Sequence, residues 1–127
     1  MIFKDGLPIF QQIADRLSDE ILAGEYAADE RVPGVRDYAA LVEVNAATVV
    51  KAYDVLSSRG IIASRRGMGY FVTPEARDLI LQNRREVFYA ETLPDLFRQM
   101  RDLGLTPDDI KAEWTPFKAK TIHNSIS

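Results

Sequence analysis

The chain has 127 residues, 46% of them hydrophobic and 28% charged, the make-up of one soluble globular domain or of one small domain with an appendage, and not of a large two-domain enzyme. It contains no cysteine, which excludes disulfides, thiolate metal sites and cysteine nucleophiles, so the interior holds by packing alone. A net charge of −3 argues against a partner as negative as nucleic acid, but only if the charges are evenly spread.

The first periodic segment runs from Pro8 to Gly24. Ile9, Phe10, Ile13, Leu17, Ile21 and Leu22 recur at helical spacing and share one face. Pro8 suits the first helical turn and Gly24 the residue after the last. An irregular link, Glu25 to Gly34, closes on Pro33-Gly34, and Val35, Tyr38, Ala39 and Val42 mark a second helix of about two turns. After a break around Glu43-Val44, Asn45 is a favoured N-cap for a third helix with Val49, Ala52, Tyr53 and Leu56 on one face, ended by Gly60. From Ile61 the period changes to alternation. Arg65-Arg66-Gly67-Met68-Gly69 reads as a turn before the strand-forming Tyr70, Phe71 and Val72, which predicts a β-hairpin. The expected fold is therefore mainly α with a small β-hairpin: a winged helix-turn-helix over residues 1–73.

Past Pro74 the helical period returns. Ala76, Leu79, Ile80, Val87 and Ala90 form one stripe, and Leu93, Leu96, Phe97, Met100 and Leu103 a second, up to Gly104. Thr106-Pro107-Asp108-Asp109 then gives three helix-start signals together, with Leu105 and Ile110 placed for a hydrophobic staple. Lys118 to Ser127 has no apolar period and is expected to be a frayed or partner-dependent tail. So short a helical segment, residues 74–127, buries too little surface to stand alone. It must cover the back of the winged helix or the same helices of a second copy. A short α-helical dimerisation region is the preferred reading, with Leu79, Ile80, Val87, Leu96, Phe97 and Met100 at the interface of a homodimer.

The charges are not evenly spread. Val44 to Thr73 carries Lys51, Arg59, Arg65 and Arg66 against Asp54 alone, and Arg31 and Arg36 lie just upstream. Asp15, Asp19, Glu20, Glu25, Asp29 and Glu30 instead collect in the first helix and the link. A basic face backed by an acidic one is compatible with DNA binding, since attraction to phosphate is felt within a Debye length of roughly 10 Å.

In order along the chain stand Pro-x-x-Gln-Gln-Ile from Pro8, Arg-x-Pro-x-x-Arg from Arg31, Thr-Val-x-Lys-Ala-Tyr from Thr48 and Arg-Arg-Gly-x-Gly-x-Phe-Val from Arg65. Over about residues 7–73 this resembles the DNA-binding domain of the GntR family of bacterial transcription regulators, and the short helical tail resembles that of the YtrA subfamily. The resemblance implies a dimeric repressor, often of a transporter operon. It implies that Arg36 enters the groove from the second helix, that Asn45, Ala46, Ala47 and Thr48 begin the recognition helix, and that Arg66 with Gly67 forms a wing tip reaching the minor groove. Many relatives have serine or threonine, then arginine, where Asn45 and Ala46 stand, and often arginine at Val50. Base preference cannot be borrowed from them.

On a helix begun at Asn45, Ala46, Ala47, Val50, Lys51 and Asp54 point outward. Exposed small apolar side chains there suit close approach to thymine methyls; in isolation they would be no more than good helix formers. Thr48 and Lys51 are expected on phosphates, Arg65, Arg66 and Gly67 on the minor groove, although a hairpin tip of this composition also serves plain solubility. Arg31 suits either a phosphate or Asp29 and Glu30. The partner is then double-stranded operator DNA, expected to be palindromic. The alternative is a winged-helix protein-interaction module without specific DNA reading, suggested by the acidic balance and the missing arginines.

No catalytic set is assignable, and neither a phosphate loop nor a cofactor motif is present. His123 is the only histidine, so no metal site of nitrogen and sulfur ligands is expected. Trp114 and Phe117 read as dimer or tail packing. No apolar run approaches the roughly 18 residues of a membrane span and MIFKDGLPIF lacks a signal-peptide core, so a cytoplasmic protein without a membrane partner is expected. The sequence names no effector; one that acted would have to bind two states differently.

Overall fold

The computed structural model describes the backbone of residues 6–126 and the side chains of residues 6–120. The chain divides into two compact units, Met1–Arg84 and Arg85–Ser127. The first holds helices α1 (Ile9–Leu22), α2 (Val35–Val42) and α3 (Ala46–Ser58), strands β1 (Ile62–Arg65) and β2 (Gly69–Val72), and most of α4 (Ala76–Val87). This is the winged helix-turn-helix that the periodicities predict.

The three helices α1, α2 and α3 bury the stripes that their spacing defines, with one exception on α1. On α1 the core face is Ile13, Ala14, Leu17 and Ile21, with Phe10 and Leu22 half-buried, while Ile9 stays 47% exposed. Ile9 sits at the first helical position, before the helix has turned its stripe inward. Gln12 is buried instead, its amide donating to the Leu7 carbonyl at 3.0 Å. On α3, Val49, Ala52, Tyr53 and Leu56 are all buried, and Tyr38, Ala39 and Val42 meet them from α2.

The turn between α2 and α3 is set by two residues. Glu43 has a left-handed φ of +59°, and the next N–H, that of Val44, returns to the Ala39 carbonyl at 3.0 Å to satisfy the end of α2. Asn45 then starts α3, its Oδ1 accepting the Ala47 N–H at 2.8 Å.

The link before α2 is not irregular throughout. The Asp29 N–H donates to the Val72 carbonyl, the Val72 N–H to the Glu30 carbonyl and the Val32 N–H to the Tyr70 carbonyl, at 2.8, 2.9 and 2.9 Å. Arg31 pairs opposite Phe71, so the link lies along the free edge of β2, while β1 lies along the other in the register Ile62 to Val72 and Arg65 to Gly69. Pattern could not reveal this segment, because Val32 is its single core residue and the pairing is tertiary.

A tyrosine column ties the reading helix to its supports. The Tyr53 ring meets Tyr38 at 6.0 Å and Tyr70, edge to face, at 5.1 Å, and its hydroxyl donates to the Pro33 carbonyl at 2.7 Å. Tyr38 donates its hydroxyl to the Glu20 carboxylate. Burial, foremost, pushes the Glu20 carboxyl above its ordinary value of 4.5, against the lowering effects of the Tyr38 hydrogen bond and of Arg16. The folded state therefore holds the Glu20 proton to higher pH than the unfolded chain does. The contribution of Glu20 to stability is full below about pH 4.5 and is lost as pH rises through the folded value, the reverse of the usual carboxylate. In melts from pH 4 to pH 7, Glu20→Gln should gain on the parent as pH rises; a constant difference would contradict this.

The first unit runs beyond the boundary expected at Thr73. Ala76 and Ile80 are buried in its core, Ile80 at 2% exposure, and Leu79 is half-buried against it. Arg77 donates to the Leu22 carbonyl at 2.7 Å, and Arg84 reaches the Asp19 carboxylate at 2.6 Å. Ile80, expected at a subunit interface, is thus buried within its own chain, and Leu79 is half-buried there.

In the second unit a π-helical turn, Phe88–Thr92, leads into α5 (Leu93–Leu103), and α6 (Pro107–Ile126) follows Gly104. The wide turn has a cause in Pro94, which has no N–H and whose ring would press on the preceding turn of a regular helix. Thr106 and Asp109 cap α6 reciprocally. The Asp109 carboxylate accepts the Thr106 N–H at 2.8 Å, and this bond holds its pKa below the usual value. The tail expected to fray from Lys118 is helical as far as Ile126 despite its missing period; His123 has a side chain outside the described residues.

Candidate nucleic-acid interface

Of the residues expected to meet DNA from α3, Ala47, Val50 and Lys51 are exposed, at spacings that put them on one face, and Asp54 lies one turn further along it. Asn45 is exposed but its Oδ1 is occupied by the cap. Thr48 is half-buried. Ala46 is half-buried too and packs against the core, which corrects its expected outward placing: the first residue of α3 leans on the hydrophobic cluster that seats the helix. The Lys51 ammonium stands 4.2 Å over the Phe10 ring, so it is anchored to α1 at the edge of the reading face.

Arg36, in the first turn of α2, is exposed, and among the described residues neither it nor Arg66 has a carboxylate partner. Both guanidiniums are thus open to an anion without first breaking an ion pair.

The wing separates its two arginines. Arg65 reaches Asp29 at 3.4 Å and covers the Phe71 ring at 4.0 Å, which makes it a structural part of the hairpin. Arg66 lies in the turn itself, closed by the Met68 N–H on the Arg65 carbonyl at 2.9 Å. Gly67 supplies the positive φ of 74° that the third residue of such a turn requires. Gly69 has a φ of 98°, and a Cβ there would stand 2.9 Å from Nε of Arg31. The Arg31 guanidinium therefore lies in the gap that glycine leaves, beside the wing. The clue in the sequence was a glycine inside a strand pattern, which signals close approach. Phe10 as the seat of Lys51 carried no comparable signal.

Among the residues expected at a subunit interface, Val87, Leu96 and Phe97 are exposed in the isolated chain and Met100 is buried. In the second unit Leu93, Leu96, Phe97, Met100, Ile110 and Trp114 line a groove of about 310 Å³. Trp114 and Phe117, ring centres 6.1 Å apart, are both more than half exposed. Among the described residues no cluster of histidine, aspartate and glutamate could hold a metal ion, and no helix is long and apolar enough to cross a membrane.

A two-helix turn with an exposed reading face, an open arginine ahead of it and a glycine-tipped arginine wing behind it define a winged-helix DNA-binding module. Residues 9–72 match the model of the bacterial regulatory proteins of the gntR family, and the chain belongs to that family of DNA-binding transcription regulators, which are not enzymes. It is 31% identical to the uncharacterized HTH-type transcriptional regulator YhcF of Bacillus subtilis, over 85% of this chain and 88% of that protein. It is 30% identical to the HTH-type transcriptional repressor YtrA of the same organism, over 64% of this chain and 62% of that one, consistent with the YtrA-like resemblance. A putative GntR-family regulator from Bacteroides thetaiotaomicron superposes with a TM-score of 0.79 at 38% identity, over 90% of this chain and 99% of the other. The DNA-binding domain of AraR, solved in complex with an operator, superposes with a TM-score of 0.53 at 27% identity, over 57% of this chain and 93% of that domain.

Proposed function

We propose that the protein is a homodimeric, cytoplasmic repressor whose two winged helices occupy the half-sites of a palindromic operator, in a transporter-type operon. The observation that carries the DNA-reading part is the pair of exposed guanidiniums, Arg36 and Arg66, which have no carboxylate partner among the described residues and stand before and after α3 in the chain. Arg36, Ala47, Val50, Lys51, Arg66 and Gly67 are the residues assigned to DNA, with Asn45 and Thr48 presenting the helix N-terminus to a phosphate. Arg65 supports the wing, and Ala46 seats the helix. Dimerisation is supported by the second unit, where Val87, Phe88, Tyr89, Leu96, Phe97, Leu103, Trp114 and Phe117 all remain exposed. So much apolar surface on so few residues is costly unless covered. Repression is supported by the similarity to YtrA, which is described as a repressor, and the operator by AraR, solved with one.

Selecting bound fragments from the source genome and titrating them at two salt concentrations tests this reading. The expected result is an inverted repeat with half-site centres about one helical turn apart and an affinity that falls steeply with salt. No bound fragment at low salt would overturn it.

A further inference from the structure

The reading face of α3 is short of polar groups that could hydrogen-bond to a base. Asn45 spends its Oδ1 on the Ala47 N–H at 2.8 Å. Lys51 holds its ammonium over Phe10 at 4.2 Å, and Asp54 carries the sign that phosphates repel. The apolar groups that face outward on the first two turns are the methyl of Ala47 and the isopropyl of Val50, three residues apart on one face, with Val50 43% exposed. Folding does not require valine at that position: it lies outside the core cluster, and its helix propensity is below that of alanine. In the major groove the one apolar group that a base pair offers is the C5-methyl of thymine. A cytosine at the same place would present its N4 amino group to a side chain that cannot accept a hydrogen bond.

We propose that Val50, seconded by Ala47, is the specificity-determining contact of the recognition helix and reads a thymine methyl in each half-site. The inference rests on the operator-binding reading above, and the test separates the two.

The full-length protein is titrated with its selected operator and with duplexes in which each thymine in turn is replaced by uracil, which removes only the methyl. One position per half-site should weaken binding about fourfold when demethylated, the loss of one buried methyl. Replacement of that thymine–adenine pair by cytosine–guanine should cost tenfold or more. The Val50→Ala variant should keep its melting temperature, bind the natural operator several-fold less well and lose most of its response to uracil at that position. Specific binding that is indifferent to uracil at every thymine, or a response that Val50→Ala leaves intact, would overturn the role of Val50 and leave the repressor reading standing. Failure to select any operator would overturn both.

Discussion

Replacing Arg36 and Arg66 together with alanine, which removes four arginines from a dimer, should lower operator affinity by about three orders of magnitude or more while the melting temperature stays within about a degree of the parent. The first half follows from what an arginine supplies in a groove, about 1–3 kcal/mol for each well-made contact. The second follows from their surroundings. Both side chains are exposed, and among the described residues neither holds a carboxylate, so alanine breaks no ion pair seen there. Arg65→Ala is the informative control. It breaks the 3.4 Å pair with Asp29 and uncovers the Phe71 ring, and should reduce stability by a fraction of a kcal/mol, as exposed ion pairs do. Fluorescence anisotropy with thermal melts on the three variants decides the matter. An unchanged affinity in the double variant would remove DNA reading from the site and restore the protein-interaction module as the better account.

The two wing arginines also show what sequence can and cannot resolve. The doublet Arg65-Arg66 beside Gly67 marks a hairpin tip, but the division of labour within it depends on Asp29, brought to the wing by main-chain pairing between the link and β2. That pairing follows no apolar period and so leaves no pattern to read. Helices whose faces alternate between core and solvent were legible for the opposite reason. Val49, Ala52, Tyr53 and Leu56 are buried where their spacing puts them, and Asn45 caps as its chemistry requires. Ala46 deceived because a helical wheel starts at the first residue, whereas that residue still follows the entering chain toward the core. The π-helical turn at Phe88–Thr92 escaped for a similar reason. Pro94 announces a disturbance, but a proline near a helix start and one relieved by a widened turn look alike in sequence.

The −3 charge acquires a narrower meaning from the same geometry. Asp19 pairs with Arg84 at the surface at 2.6 Å and Glu20 turns inward to the Tyr38 hydroxyl, so part of the acid on α1 is engaged within the chain. The reading face keeps its cations uncancelled. With few phosphate contacts per subunit, two half-sites would have to be engaged together for tight binding, and removing the second unit becomes the sharpest test of dimerisation.

Where the chain is cut decides what such a test means. A boundary at Thr73 suggests ending the protein at Pro74, but that fragment would lack Ala76, Leu79 and Ile80, and the first unit would open to water where Ile80 is now 2% exposed. Losing a buried isoleucine alone costs about 2–5 kcal/mol, a large share of the stability of a small domain. The fragment of residues 1–74 should therefore melt far below the parent or not fold. A fragment of residues 1–84 retains those side chains and the bonds of Arg77 and Arg84 to α1, and should fold. Lacking Val87, Leu96, Phe97 and the groove beside Trp114, it should sediment as a monomer and bind operator at least tenfold more weakly than the full chain. If residues 1–84 still sediment as a dimer, the second unit is not the dimer handle. If they are monomeric yet bind as tightly as the parent, one winged helix is sufficient and the palindrome has no partner to serve.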